Sequence, residues 1–222
     1  MAIFNVNGVS ISSAFDASGA LLQNAYDIDG ESVLTSEYPI DNVVSYYRDD
    51  VLSVCSEVDA LSEDWQSFVF ITDPHYLSNQ MHSQAIALYV LANTPASMIV
   101  LGGDYCDQPF IVDRYTTYMS PFFNSGMMDK IYAIFGNHEQ YPQTDYVAQR
   151  ALAKQTIYND FLKDKSHLVG QMTDNYYYFD DASRKVRYMF LNTSDGDKAD
   201  GTKMSDEQIS WISSNVVLPD ST

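Results

Sequence analysis

The sequence predicts an α/β fold in which short buried strands alternate with helices. Apolar runs of strand length occur at residues 67–72, 97–101 and 131–135, and the segments between them show helical periodicity. Each run ends in residues typical of turns. The chain has 222 residues, 45% of them hydrophobic and 14% aromatic, which suffices for a substantial core. The alternation favours a mostly parallel sheet covered by helices.

The first part of the chain has a different composition from the rest. Residues 1–40 are rich in Ser, Asn, Asp, Gly and Ala, which predicts a strand-and-turn extension. An amphipathic helix follows, with Asp41 as its N-cap, so that residues 41–64 connect the extension to the main domain. That domain is predicted to comprise residues 65–222.

The elements of the main domain follow from the hydrophobic pattern. The first run is continuously apolar, which is typical of a strand buried on both faces. The elements predicted after it are a helix over 79–93, a strand over 97–101, a helix over 111–123 that breaks at Ser120-Pro121, a strand over 131–135, a helix over 144–164, strands over 176–180 and 186–192, and a helix opened by Ser205. The short connection between the last two strands predicts a hairpin.

The charge balance restricts the possible partners. With 12 Lys and Arg against 30 Asp and Glu, the net charge is −18, which repels nucleic acids and anionic membranes. The simplest role of this acidity is solubility, although bound cations could still attract an anionic substrate. No apolar stretch matches a membrane span and no signal-peptide pattern opens the chain, so we take a cytoplasmic location as the default. The sequence does not indicate an oligomeric state.

Two cysteines and two histidines are expected to have no chemical role. Cys55 and Cys106 fit no zinc spacing and cannot build a disulfide framework, so we expect packed thiols, with Cys106 as a possible lining residue of the site described below. His82 is expected at a helix cap or surface, with a substrate contact as the alternative. His167 is expected in a solvated loop.

Polar residues follow each of the three predicted parallel strands. The residues are Asp73 and His75 after the first strand, Gly102, Gly103 and Asp104 after the second, and Gly136, Asn137, His138 and Glu139 after the third. Because the carboxyl ends of parallel strands meet at one edge, where open α/β sheets bind ligands, we expect these side chains to converge. Carboxylates, imidazoles and amide carbonyls are ligands of divalent metals.

The first two motifs suit metal binding. In an extended segment, Asp73 and His75 point to the same side and can bind one cation, and Pro74 favours extended geometry at Asp73. The glycines before Asp104 allow a sharp turn and a close approach of the backbone to a ligand. The two carboxylate oxygens of Asp104 can bridge two metals. Each motif alone is weakly specific.

The third motif and its neighbours supply further groups. The Asn137 carbonyl can ligate a cation, and His138 can donate a proton or stabilise negative charge. Glu139 could orient a neighbouring imidazole. Asp107 could hydrogen-bond a ligand or cap the next segment, and with Tyr105 it completes the residues expected to support the site or to contact substrate.

Together, the three motifs resemble the pattern of the calcineurin-like metallophosphoesterases. That pattern is Asp-x-His, then Gly-Asp-x-x-Asp, then Gly-Asn-His-Asp/Glu, and it occurs here in the same order, each motif after a strand. The resemblance covers roughly residues 66–222. It implies a four-layer α/β/β/α architecture, in which a sandwich of two mixed β-sheets is flanked by helices.

The resemblance also implies an activity and the residues responsible. Asp73 and His75 would bind a first metal, Asp104 would bridge two metals, and Asn137 would bind the second, while His138 would contact the scissile phosphate and assist the leaving group. The implied reaction is hydrolysis of a phosphate mono- or diester by a metal-activated hydroxide at a dinuclear centre of Mn, Fe or Zn. The implied partner is a phosphorylated substrate of unknown identity.

The sequence departs from the family pattern in one respect. The family supplies three more histidines downstream, whereas no histidine follows His167 here. We therefore expect the chain to be truncated, without the last strands of the sandwich, and to be inactive or impaired as given. The alternative is a non-catalytic structural or binding module with a degenerate fold, docked into a larger assembly by its N-terminal extension. A histidine and a Gly-His-x-His motif in a longer reading frame would favour the enzyme.

Overall fold

The computed structural model describes most of the chain from residue 40 onward. The described residues are 40–62, 64–76, 82–106, 110–140, 146–195 and 203–216, together with the backbone of two short antiparallel strands, β1 (Ala14–Phe15) and β2 (Leu21–Leu22). The rest of the predicted extension lies outside the described residues.

Three parallel strands form the first sheet, as the sequence predicts. They are β3 (Val69–Ile71), β4 (Ile99–Leu101) and β5 (Ile131–Ala133), in the order β3-β4-β5. The register aligns Ile71, Leu101 and Ala133, so the three strands end at one level. Every residue of β4 and β5 is buried. The polar motifs that follow these strands therefore start from one edge of the sheet.

Strand β3 is not buried on both faces, contrary to the prediction. Phe70 is 56% exposed and Phe68 before it is 50% exposed. In the described part of the chain β3 is an edge strand, and these rings line a groove of about 520 Å³ whose other wall is residues 188–191. No described residue covers this groove, which is why the continuous apolar run is exposed on one side.

An antiparallel sheet of three strands follows. Its strands are β6 (Val169–Gln171), β7 (Tyr176–Asp181) and β8 (Val186–Phe190), in the order β6-β7-β8. The predicted hairpin between β7 and β8 is confirmed, with Asp181 paired to Val186. Strand β6 was not predicted, because Val169-Gly170-Gln171 has no apolar run. A Cβ on Gly170 would lie 2.7 Å from the Tyr177 Cα atom, so glycine allows β6 to approach β7 closely.

Five α-helices accompany the sheets in the described residues. They are α1 (Arg48–Asp59), α2 (His82–Asn93), α3 (Val112–Phe123), α4 (Tyr146–Ile157) and α5 (Asp206–Asn215). Helix α5 is capped as predicted, since Ser205 Oγ accepts the Gln208 backbone N–H at 3.1 Å. Helix α1 is present but begins later than predicted: two 3₁₀ turns precede it, and Asp41 forms a 3.1 Å ion pair with Arg48 instead of capping a helix.

Two other helix boundaries differ from the predictions. Helix α3 continues to Phe123 instead of breaking at Pro121. Proline cannot donate to the carbonyl four residues earlier, but Ser120 Oγ donates to that Thr117 carbonyl at 2.9 Å, which replaces the missing bond. The single helix predicted over 144–164 is α4 followed by a π-helical turn, Tyr158–Leu162.

Aromatic side chains join the two sheets into one core. The ring of Tyr132 on β5 stacks on Phe179 and Phe190, with centroids 5.0 and 5.2 Å apart. The Tyr177 hydroxyl donates to the Ala133 carbonyl at 2.9 Å, which fixes β7 beside the end of β5. The protein is thus a mixed α/β structure with a parallel sheet, an antiparallel sheet and flanking helices, and the predicted fold class is confirmed. In the described residues, all strand pairs of β3-β4-β5 are parallel and all strand pairs of β6-β7-β8 are antiparallel, whereas the family resemblance implied two mixed sheets.

Two other expectations concern single residues and membrane insertion. Cys55 and Cys106 are both buried free thiols, as predicted. Burial raises the pKa of Cys106 to about 12. Over the described part of the chain, every helix is too short or too polar to span a bilayer.

Candidate metal centre

The loops after β3 and β4 remain paired beyond the sheet. The backbone N–H of Asp73 donates to the Gly103 carbonyl at 3.2 Å, and that of His75 donates to the Asp104 carbonyl at 3.1 Å. One residue further on, Tyr76 and Cys106 form an isolated parallel bridge. The first two motifs therefore lie side by side at the carboxyl edge of the sheet.

The backbone of these two motifs is strained. Asp73, His75 and Asp104 have φ angles of +53°, +42° and +55°, in the left-handed region that non-glycine residues rarely adopt. The prediction that Asp73 is extended before Pro74 was therefore wrong, because pairing with the next loop overrides this local preference. Such strain concentrates at functional sites and persists only where surrounding contacts hold it.

The structure brings together one residue from each motif. Donor atoms of His75, Asp104 and His138 all lie within 4.8 Å of one another. The rings of the two histidines meet edge to face, with centroids 4.3 Å apart. His75 Nε2 lies 3.6 Å from Asp73 Oδ1 and 3.9 Å from Asp104 Oδ2, so this imidazole faces both carboxylates.

The two carboxylates differ in their environment. Asp104 is 6% exposed, and burial raises its pKa. The more exposed Asp73 accepts a 2.6 Å hydrogen bond from the Thr72 hydroxyl, which lowers its pKa. Without a cation the buried carboxyl group therefore retains its proton to higher pH, and a bound cation would favour its ionised form.

Two glycines allow the loops after β4 and β5 to touch. A Cβ on Gly136 would lie 2.2 Å from Asp104 Oδ1, and one on Gly103 would lie 2.4 Å from the Gly136 nitrogen. Gly103 also has a φ of +93°. Only glycine fits at this contact. The close approach of the two loops places the Asp104 carboxylate in contact with the third motif.

Glu139 has partners other than the imidazole that the sequence suggested. It is fully buried, and its carboxylate accepts backbone N–H bonds from Asp104 at 2.9 Å, Tyr105 at 2.8 Å and Gly136 at 2.7 Å. Burial, assisted by the nearby Asp104 charge, raises the pKa of Glu139 to about 7 although all three bonds favour the anion. Its hydrogen bonds thus support the loops that carry the cluster.

Tyr105 supports the same loops through contacts with the ends of β4 and β5. It is 1% exposed, and its hydroxyl lies 3.0 Å from the Leu101 carbonyl oxygen and 2.6 Å from that of Ile134. Desolvation raises the pKa of Tyr105 well above the ordinary value. A buried hydroxyl that faces backbone carbonyls does not contact substrate, so of the two roles expected for Tyr105 the structure favours support.

The remaining predicted residues are placed as follows. Asn137 is half-buried between Gly136 and His138, at the same edge. Asp107 lies outside the described residues. His82 is exposed at the start of α2, as expected. His167 is exposed in a turn, but its Nε2 lies 3.1 Å from the Tyr132 hydroxyl oxygen.

The donor set fits a divalent transition metal. Imidazole nitrogens and carboxylate oxygens bind such ions at about 2.0–2.2 Å, so ligands on opposite sides of one ion are about 4 Å apart. The donor atoms of His75, Asp104 and His138 all lie within 4.8 Å of one another, and His75 Nε2 is 3.9 Å from Asp104 Oδ2, so the cluster is close to this size. The buried Asp104 carboxyl group, which is costly to ionise alone, gains most from a cation.

The sequence motifs did not identify Thr72 as a residue of the site. Its hydroxyl orients the Asp73 carboxylate and favours the charged form. A hydroxyl residue immediately before the first motif is the signal that could have found it, since Ser and Thr commonly bond to neighbouring polar groups.

Comparison with known proteins identifies one family. The sequence model of the family described as calcineurin-like phosphoesterase matches residues 67–217. Comparisons with curated proteins and with solved structures gave no match. The matched range contains all three motifs and the two three-stranded sheets, β3-β4-β5 and β6-β7-β8.

Proposed function

Since the chain belongs to the calcineurin-like phosphoesterase family, we propose that it hydrolyses a phosphate mono- or diester at a dinuclear metal centre. The observation that supports this most strongly is the convergence of His75, Asp104 and His138. These residues come from three separate loops, and their donor atoms share one small volume. Carboxylate and imidazole donors together suit Mn, Fe or Zn.

The proposed ligands divide between two ions. Asp73 and His75 would hold the first ion, and Asn137 would hold the second. Asp104 would serve both ions, because its carboxylate has two oxygens and faces His75 with one and the third motif with the other. Bound divalent cations would supply a water of lowered pKa as the nucleophile and would neutralise charge on the phosphoryl group.

His138 is the proposed general acid. Its backbone N–H donates to Asp104 Oδ1 at 2.8 Å, which fixes the start of its side chain beside the ligands. Its half-buried ring lies against His75, at the edge from which a phosphate would approach. A protonated imidazole there gives its proton to the leaving oxygen as the bond to phosphorus breaks.

We propose a small phosphorylated molecule as the substrate. A net charge of −18 gives a protein surface that repels a nucleic acid backbone. Within the site, cations offset this repulsion for a single phosphate group.

The test is hydrolysis by the full chain after metal removal with EDTA. p-Nitrophenyl phosphate and bis-p-nitrophenyl phosphate serve as monoester and diester probes, each with added Mn²⁺ or Zn²⁺. In line with the impaired activity expected from the sequence, we expect weak, metal-dependent hydrolysis of one of them, and its loss in Asp104→Asn and in His138→Ala. Asp59→Asn, an exposed change of the same chemistry at the end of α1, is the matched control.

Activity that survives both substitutions would show that the assigned roles are wrong. Hydrolysis that does not respond to metal would contradict the metal mechanism. The absence of hydrolysis and of metal binding would support the alternative of a non-catalytic module.

A further inference from the structure

The carboxylate of Glu139 connects two loops that are distant in sequence. Asp104 and Tyr105, which donate to it, follow β4, whereas Gly136 follows β5. The two donors on the first loop are 35 and 34 positions away along the chain. The side chain is therefore a direct polar link between the loops that carry the Asp104 carboxylate and the His138 imidazole, in addition to the bond from the His138 backbone N–H to Asp104 Oδ1.

The first of these loops is shaped to bind an anion. Gly103 and Asp104 have φ angles of +93° and +55°, and the N–H groups of Asp104 and Tyr105 point to the two oxygens of Glu139. Successive amides in such a conformation form a concave nest for an anionic group. A carboxylate that fills this nest holds Asp104 in a conformation that it would otherwise avoid.

The second loop is held by the same oxygen. Glu139 Oε2 accepts from both Asp104 and Gly136, so it fixes the distance between the two backbones. Glu139 lies in a 3₁₀ turn, His138–Gln140, in which its own side chain is fully buried and that of His138 remains half-buried at the edge.

We propose that Glu139 is a positioning residue that ties the loop after β4 to the loop after β5 and thereby sets the separation between the Asp104 carboxylate and the His138 imidazole. This inference rests on the proposed function of the site only for its consequences, which are the affinity for metal, through Asp104, and kcat, through His138. The loop contact itself is a property of the chain without ligands.

The most direct variant is Glu139→Gln, which keeps the size of the side chain but replaces one acceptor oxygen with an NH₂ group. At least one of the three N–H groups then faces a donor instead of an acceptor, because Oε1 accepts one N–H and Oε2 accepts two. Hydrogen exchange should accelerate at least about tenfold for the amides of Asp104, Tyr105 and Gly136, with β4 and β5 remaining protected.

Metal affinity is the second measurement. We expect Glu139→Gln to bind Mn²⁺ about 10–100-fold more weakly in calorimetric titration of the metal-free protein, as is typical when a supporting contact of a ligand is lost. Glu139→Asp keeps two acceptor oxygens and should bind more tightly than Glu139→Gln. In the hydrolysis assay, kcat should fall while KM changes less than about twofold.

Gln208→Met is the matched control. Gln208 is also fully buried and bonds to the backbone of a distant loop, accepting from and donating to Asn192. Gln208→Met should lower the free energy of unfolding by an amount comparable to that of Glu139→Gln. The exchange of the three amides and the affinity for Mn²⁺ should remain unchanged.

Unchanged exchange in Glu139→Gln would overturn the proposed loop contact. Accelerated exchange with undiminished Mn²⁺ affinity would overturn the positioning role, as would equal losses in Gln208→Met. If the wild-type protein binds no Mn²⁺, the proposed function fails, whereas the exchange rates still decide whether Glu139 holds the loops.

Discussion

The backbone N–H of His138 donates a 2.8 Å hydrogen bond to Oδ1 of Asp104. This bond places His138 of the third motif directly on the carboxylate of the second motif. The same carboxylate faces His75 with its other oxygen. Asp104 is thus both a candidate ligand and the structural contact between all three motifs.

Two substitutions of Asp104 should separate these roles. Asp104→Asn keeps an oxygen for the His138 N–H and removes a charge that burial disfavours, so we expect unfolding free energy within about 1 kcal/mol of wild type. Its affinity for Mn²⁺ should fall by more than about 100-fold, beyond the loss typical of a supporting contact. Asp104→Ala also loses the acceptor and should cost about 1–3 kcal/mol more. Urea denaturation and calorimetry provide both values, and equal stability of the two variants would contradict the structural role.

Gly136→Ala should disrupt the contact between the loops after β4 and β5. The added Cβ would lie 2.5 Å from the Asp104 backbone nitrogen, which cannot move aside as a flexible side chain can. We expect a loss of about 3 kcal/mol or more in the free energy of unfolding, measured with urea. Gly126→Ala is the control, since its φ of +72° is also unfavourable for alanine but its Cβ would meet nothing within 4 Å. Its cost should be about 1–2 kcal/mol, and a similar cost for both would contradict close packing of the loops.

Arg187→Lys should destabilise the antiparallel sheet. The guanidinium group donates from Nε to Asp180 at 2.6 Å and from Nη1 to the Asn215 carbonyl at 2.6 Å, and it lies 3.8 Å from the centroid of the Tyr178 ring. Lysine cannot reproduce this planar arrangement, so we expect a loss of about 2 kcal/mol.

Arg184→Lys serves as the control for this substitution. Arg184 is half-exposed, its side chain is paired with Asp181 in the hairpin turn, and its replacement should change stability by no more than about 0.5 kcal/mol. Thermal or urea unfolding of both variants would test the contrast. Equal effects would mean that the stacked geometry of Arg187 contributes nothing.

Lys165 should make stability depend on pH in the alkaline range. Burial lowers the pKa of Lys165 from its ordinary value of 10.5 to about 8, and its ammonium group lies 5.1 Å from the centroid of the Tyr132 ring. The folded state therefore releases this proton at lower pH than the unfolded state does. The resulting stabilisation is present above pH 10.5 and is lost as the pH falls through about 8.

Lys165→Met removes this titration. The free energy of unfolding of wild type relative to the variant should rise by about 1–2 kcal/mol between pH 8 and pH 10, after allowance for partial exposure of the lysine. Urea denaturation at several pH values measures the difference. A difference that is constant with pH would contradict the desolvated environment of Lys165.

The local pattern of the sequence was sufficient for the main elements of the fold. Strands β4 and β5 were predicted because apolar runs bounded by glycine and polar residues are local signals. Strand β6 was missed because Gly170 lets it pair with β7, and that need is visible only in the contact. The exposure of Phe70 was also missed, since a continuous apolar run does not show which neighbours cover it.

By itself the sequence determined the order of the three motifs, their positions at strand ends and the residue types that suit a metal. Those properties depend on neighbouring residues along the chain. The tertiary structure alone decided that Asp73, His75 and Asp104 adopt left-handed backbone angles and that Glu139 binds three amides of two loops. These features arise from hydrogen bonds between segments about 30 residues apart, whose energy exceeds the local conformational preference, so no local pattern could encode them.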